Sequence, residues 1–377
     1  MSTRSYKFSQ FVKASPAKVY NAFTNATALR EWICDVSTVD AKPGGRLYMA
    51  WNSGYYACGE YTSLETDKTI AFTWYGRNEP GVSKVGVTLI AEGSGTKVNL
   101  EHTLPETSKA WEAVAKELEA GWNTSFENLA SVLETGIDLR ITRRPMLGIT
   151  LNDFNAELAK KLGVPVSEGV RIDGVIDGMG AQAAGLQSSD VIVAVDGHEV
   201  RKVDDIPDAL EGKRAGDKLK VTYYRGSDKK TVDMVLSGRR IPDIPDTLKG
   251  LAEAVKRIYD QQKVDIEGLI AGVSEAEASF KPKVDEWSAK EVLAHLIHSE
   301  RFFQTFIGDL LGGQERWTDR FAGNLATPIL ATIIAYPTLQ DLLRELNYSF
   351  AETLALLANL PPEFIDSKGS YWRLAYA

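Results

Sequence analysis

Two of the chain's four histidines, His295 and His298, stand three residues apart in the stretch EWSAKEVLAHLIHSERFF, residues 286–303. On a helix such spacing raises the question of half a metal site, whose other donors would have to be found elsewhere in the chain. Ser288 and Glu291 supply a capping box that starts the helix. At ~100° per residue, His295 falls at the margin of an apolar stripe of Val292, Leu296, Phe303, Ile307 and Leu310, beside Ser299 and Phe306. His298 points well away from the stripe, so the two imidazoles are not expected to share a site. No histidine follows His298, and one imidazole with Glu300 nearby is a poor ligand set. Cys34 and Cys58 are too few and too unpatterned for a thiolate site and read as reduced small hydrophobes. No serine sits in a Gly-x-Ser-Gly context with histidine and aspartate at triad-like separations, so serine-hydrolase chemistry is not expected.

The elements that must position any site fall into three segments. At roughly one domain per 150 residues, a chain of 377 residues holds two or three domains. Its 43 basic against 51 acidic residues give a net charge of −8, which offers phosphate backbones and anionic lipid no overall attraction. Neither nucleic acid nor membrane is an expected partner. There is no secretory apolar core near the start and no apolar run of membrane-spanning length, so the expected compartment is the cytoplasm. Helical periodicity stops at Gly136 before a basic stretch and Pro145, and Pro242 and Pro245 separate a strand pattern from a helix. These joins bound domains at 1–138, 139–240 and 246–377.

The first segment opens with a helix capped by Ser15, with Pro16 in its first turn. Five alternating stretches follow, GRLYMAW, YYACGEYTSLE, KTIAFTWYG, SKVGVTLIAEG and TKVNLEHTL, divided by turns such as Lys42-Pro43-Gly44-Gly45. A last helix carries Trp111, Val114, Leu118, Trp122, Phe126, Leu129 and Leu133 at three- and four-residue steps. An antiparallel sheet wrapped on one long helix leaves a gap between the layers, which is a natural ligand cavity. With FTNATALREWI, KPGGRLYMAW, AFTW, GTKVNLEHTL and GWNTSFENLASVLETG, this segment resembles the SRPBCC superfamily, in the branch of the activator of the ninety-kilodalton heat-shock ATPase. The resemblance implies a helix-grip fold that holds a small apolar ligand or touches a chaperone-like client, without a shared catalytic residue. Strand parity groups Val98, Leu100 and His102, and likewise Ile70, Phe72 and Trp74. Trp32, Trp51, Trp74, His102 and Trp122 are the candidate cavity wall, with plain core packing as the alternative for each.

In the second segment, Ala184-Gly185-Leu186, Asp190 and Val195-Asp196-Gly197 resemble a PDZ domain of the bacterial high-temperature-requirement protease type, a β-sandwich or partly open barrel. The resemblance implies that MLGI is a carboxylate-binding loop, where Gly148 lets the amides of Leu147, Gly148 and Ile149 converge. The strand over 149–152 is then a free edge for a partner's C-terminal peptide, and Leu147, Ile149, Ile206 and Leu210 frame a pocket for its last side chain. A groove filled by the chain itself is the alternative. His198 lies in a turn and is expected in solvent.

In the third segment, EWSAKEVLAHLIHSE with GLIAGVSEAEASFKP and SFAETLALLANLPPEF resembles the DinB-like four-helix bundle family. The stripes Leu248, Leu251, Val255, Ile258, Ile266, Leu269, Ile270 and Leu339, Leu342, Leu346, Phe350, Leu354, Leu357 mark further helices of an all-α bundle. GSYWRLAYA reads as the start of an incomplete fourth helix. The resemblance implies that His295 joins two later histidines on zinc or nickel, ligands this chain does not supply, so no cofactor is expected. The expected whole is a multidomain α+β binding or adaptor protein. A metal-dependent thiol transferase or hydrolase, completed by ligands beyond residue 377, is the alternative.

Overall fold

The computed structural model describes residues 3–105, 108–283, 286–316 and 326–377. It forms two compact units, Met1–Ile137 with Asp243–Ala377, and Asp138–Pro242.

Alternation builds the first sheet. Strands β1 (Arg4–Val12), β2 (Val36–Val39), β3 (Arg46–Ala50), β4 (Tyr56–Glu65), β5 (Thr69–Gly76), β6 (Ser83–Glu92) and β7 (Gly95–Leu104) pair in the order β1-β7-β6-β5-β4-β3-β2. Every pairing is antiparallel. The flanking strands β1 and β2 are additions to the sequence reading. β1 finds its partner only at the far end of the sheet sequence, with Tyr6 opposite His102. Helix α1 (Pro16–Thr24) starts where the Ser15 side chain accepts the Lys18 amide, α2 (Ala26–Trp32) follows at once, and α3 (Lys109–Thr135) ends at Gly136 in the left-handed region. α3 buries Trp122, Phe126 and Leu129 against a sheet face of Phe72, Val85, Val87, Val98 and Leu100.

The second unit comprises α4 (Leu139–Thr142), β8 (Ile149–Asp153), α5 (Ala156–Leu162), β9 (Val170–Val175), α6 (Gly180–Ala183), β10 (Val191–Val195), β11 (His198–Glu199), α7 (Asp205–Ala209), β12 (Lys218–Arg225) and β13 (Asp228–Val235). Its sheet runs β13-β12-β10-β9-β8, with β11 paired to β10. The motif residues are architectural. Asp190 is buried, takes two bonds of 2.7 Å from the Arg225 guanidinium and accepts the Gln187 amide. Asp196 and Gly197 both have positive φ, as a tight hairpin requires.

The chain then returns to the first unit with α8 (Leu248–Ile270), α9 (Glu275–Ala278), α10 (Ala289–Gly312), α11 (Ala326–Ala335), α12 (Leu339–Ala358) and α13 (Lys368–Tyr376). The capping box of Ser288 and Glu291 starts α10. Tyr259, Leu293, Ala294, Ile297, Leu342, Leu346 and Phe350 form the bundle core. Three expected stripe residues, Ile258, Leu269 and Val292, are exposed. The inward line of α8 runs through Leu251, Val255, Tyr259, Ile266 and Ile270. A residue one position off that line is turned by about 100°, which carries Ile258 and Leu269 to solvent, as it does Val292 beside Leu293.

Helix α13 serves both parts of this unit. Tyr371 and Leu374 pack with Ile307 and Leu310 of the bundle. From the same helix Ser370 donates to Glu31 at 2.5 Å, and Arg373 forms bonds of 2.5 and 2.6 Å to Glu315. Glu315 also pairs with Arg30 at 2.9 Å.

Candidate functional site

Between α3 and the β3–β4 and β5–β6 turns lies a cleft of about 670 Å³. Trp51, Tyr55, Trp74 and Trp122 supply its aromatic surface, and Arg77, Glu79 and Glu117 its charges. The rings form a chain: Trp51 lies 5.2 Å from Tyr55 and 6.4 Å from Trp74, and Trp74 lies 5.8 Å from Trp122, between centroids. Each indole N–H is already used, Trp51 on the Ile33 carbonyl, Trp74 on Glu79 and Trp122 on His102. What these residues can present to the cleft is therefore ring surface rather than donors.

Trp32 and His102 are not on this wall. Trp32 packs edge-on against Phe23 at 5.0 Å and donates to the Ala22 carbonyl, inside the core. His102 is wholly buried, with Nε2 2.7 Å from the Ser83 hydroxyl and Nδ1 accepting from Trp122. Burial pushes its pKa down to about 3, so it is a neutral scaffold behind Trp122. Strand parity placed it on the inner face, but parity does not tell how deep a side chain lies. Tyr55 and Glu79 are the site residues that sequence reasoning missed. They sit in turns, where no periodicity marks them. Glu79 Oε1 accepts from the Tyr55 hydroxyl at 2.8 Å and from Trp74 at 3.1 Å, while its Oε2 is buried without a hydrogen-bond partner among the described residues.

In the second unit β8 is an end strand of the sheet. Gly148, just before it, has a φ of 78°. The Leu147 carbonyl accepts the Ala181 amide and the Gly148 carbonyl the Ile176 amide, while Met146 is bridged on both sides to Ser237. The loop's carbonyls are thus turned inward. Among the described residues the Leu147 and Gly148 amides donate to no carbonyl. Ile149 faces Val175, and because Ile176 bonds the preceding carbonyl this is a wide pair, whose N–H and C=O point away from β9. Leu147 and Ile206 are largely buried, whereas Ile149 and Leu210 are half-buried and offer more of the accessible apolar surface. A Cβ on Gly148 would lie 2.4 Å from that of Met179, so a β-branched replacement there disturbs packing as well as the loop. His198 is exposed.

On α10, His295 lies 5.0 Å from the ring of Trp287. His298 is half-buried, and burial, then the charge of His295, lowers its pKa. Glu300 is committed elsewhere, accepting from Tyr259 at 2.8 Å and Thr353 at 2.9 Å, with its pKa raised by burial. Among the described residues no group of three or more His, Cys, Asp or Glu converges as a metal-ligand set. Among the described residues, the donors around His295 do not form a zinc or nickel ligand set. No helix among the described residues is long and apolar enough to cross a membrane.

Comparison with known proteins follows the same divisions. Residues 13–134 match the model for "Activator of Hsp90 ATPase homolog 1-like protein", 145–236 the PDZ domain and 258–376 the DinB superfamily. Among curated relatives, the serine protease Do-like HtrA of Lactococcus lactis is 37% identical over 99 residues, 25% of this chain and 24% of that protein. A probable periplasmic serine endoprotease DegP-like of Marinomonas is 28% identical over 142 residues, 38% of this chain and 28% of that protein. The chain thus spans about a quarter of the length of these relatives. A solved Hsp90 activator from Plasmodium falciparum is 26% identical with a TM-score of 0.29, covering 34% of this chain and 94% of that one. In chain order, then, the protein joins a domain of the activator-of-Hsp90-ATPase type within the SRPBCC fold, a PDZ domain and a domain of the DinB superfamily.

Proposed function

We propose that the chain is a non-enzymatic adaptor of the cytoplasm, whose PDZ unit reads the free C-terminus of a protein partner while the first domain holds a small apolar ligand or a chaperone-like client. The observation that carries this reading is the loop at Gly148, where amides turned outward meet the open edge of β8. An extended peptide added to that edge gains backbone hydrogen bonds, and its terminal carboxylate lies among the amides of Leu147, Gly148 and Ile149. Hydrogen bonds to a charged group contribute about 1.5–3 kcal/mol each. The cost of immobilising the peptide offsets much of that sum, which suits weak, exchangeable recruitment.

The test is calorimetry of the full chain with a peptide ending in valine, with either a free or an amidated terminus. The free peptide is expected to bind at least about tenfold more tightly, the equivalent of one charge-assisted hydrogen bond. Leu210→Asp should weaken apolar termini most, since it places an unpaired charge against the last side chain. Equal binding of free and amidated peptides would overturn the reading.

A further inference from the structure

The cleft of the first domain has a specific chemical imbalance. Its three indole N–H groups and the Tyr55 hydroxyl are all committed within the protein. The Glu79 carboxylate uses one oxygen for two of those donors and leaves the other buried without a hydrogen-bond partner among the described residues. A buried carboxylate oxygen without a donor is costly. The site therefore lacks a donor, and the surrounding ring surfaces favour one that carries positive charge.

The other charges in the cleft agree. Glu117 adds a second carboxylate. Burial first, then the fields of Glu79 and, more weakly, Glu117, raise the pKa of Tyr55. Arg77, the one lining cation among the described residues, is exposed and donates from Nη1 to the Gly54 carbonyl at 2.7 Å. Among the described residues, neither Arg77 nor any other group donates a hydrogen bond to Oε2 of Glu79.

We propose that the cleft binds a protonated amine carried on an apolar or aromatic body, with the N–H⁺ donating to Oε2 of Glu79 and the body lying against Trp51, Trp74 and Trp122. This rests on the cleft being a ligand site, as the proposed function holds, and narrows the ligand from apolar to cationic amphiphile. A volume of about 670 Å³ is within the range of small-molecule pockets.

Three probes of one shape separate the possibilities: phenethylammonium, its neutral isostere propylbenzene, and the anion hydrocinnamate. Each is titrated into the full chain and followed by calorimetry and tryptophan emission. The ammonium is expected to bind at least about tenfold more tightly than the neutral isostere, with the anion weakest. In Glu79→Gln, checked for unchanged circular dichroism, the preference should vanish while propylbenzene binding persists. The comparison among the three probes on the unmodified chain needs no variant, so it decides even if Glu79→Gln fails to fold. Equal binding of ammonium and isostere, or tighter binding of the anion, overturns the cationic assignment and leaves an apolar cleft. Binding of none of the three overturns both that assignment and the ligand-site reading beneath it.

Discussion

At the scale of single residues, His102 shows how a buried polar side chain can hold an aromatic wall in place without facing the cleft. Its ring is neutral, fixed between Ser83 and Trp122, and so sets the orientation of one aromatic surface of the cleft. Its folded-state pKa of about 3 lies below the ~6.5 of a free imidazole. Protonation therefore favours the unfolded chain. The stabilisation from the neutral ring is complete above about pH 6.5 and is lost progressively as pH falls toward 3. About 2 kcal/mol should be gone by about pH 5. Urea unfolding at neutral and mildly acid pH should show this loss in the native chain and a smaller one in His102→Gln; identical pH dependence in the two would contradict it. Trp51, Trp74, Trp122 and His102 were visible as candidates because aromatic and imidazole side chains on an inward face are conspicuous. Whether such a ring meets a cleft or the core depends on neighbours distant in sequence, as Trp32 against Phe23 shows. Glu79 carried no signal, being a carboxylate in a turn.

At the scale of elements, most strands and helices were legible from period and caps, because Ser15, Ser288 and Gly136 act through local hydrogen bonds and φ. The stripes of α8 and α10 differ from the periodicity by one residue at Ile258, Leu269 and Val292, which are exposed, since helices buried on several neighbours have broad apolar arcs. In the sequence, GSYWRLAYA marks α13 only as a bundle helix. Its second attachment runs through Glu315, a buried acid between Arg30 and Arg373. Such charges are scattered along the chain and have no periodic signature. Removing one member of a buried ionic cluster costs about 3–5 kcal/mol, because it strands the others. Glu315→Ala should accordingly lower the stability of the first unit by a few kcal/mol, read as a drop in the urea midpoint, and by more than Glu65→Ala, whose pair with Lys68 is exposed. Equal effects of the two substitutions would show that the cluster does not hold α13.

At the scale of the whole molecule, three folds follow one another along the chain, yet the first and third share one compact unit and the PDZ fold forms the other. The joins at Gly136 and at Pro242 and Pro245 were readable because they interrupt periodicity. The association of the outer segments was not, since it depends on Glu31, Arg30, Glu315, Ser370 and Arg373, residues that gain meaning only once brought together. The central claim is that a partner's terminus adds to β8, and hydrogen exchange on the full chain tests it most directly. With a saturating peptide that ends in a free apolar residue, the amides of Leu147, Gly148 and Ile149 and those along β8 should exchange more slowly, while α10 stays unchanged. Binding that leaves those amides unprotected, or that protects only residues elsewhere, would contradict the claim.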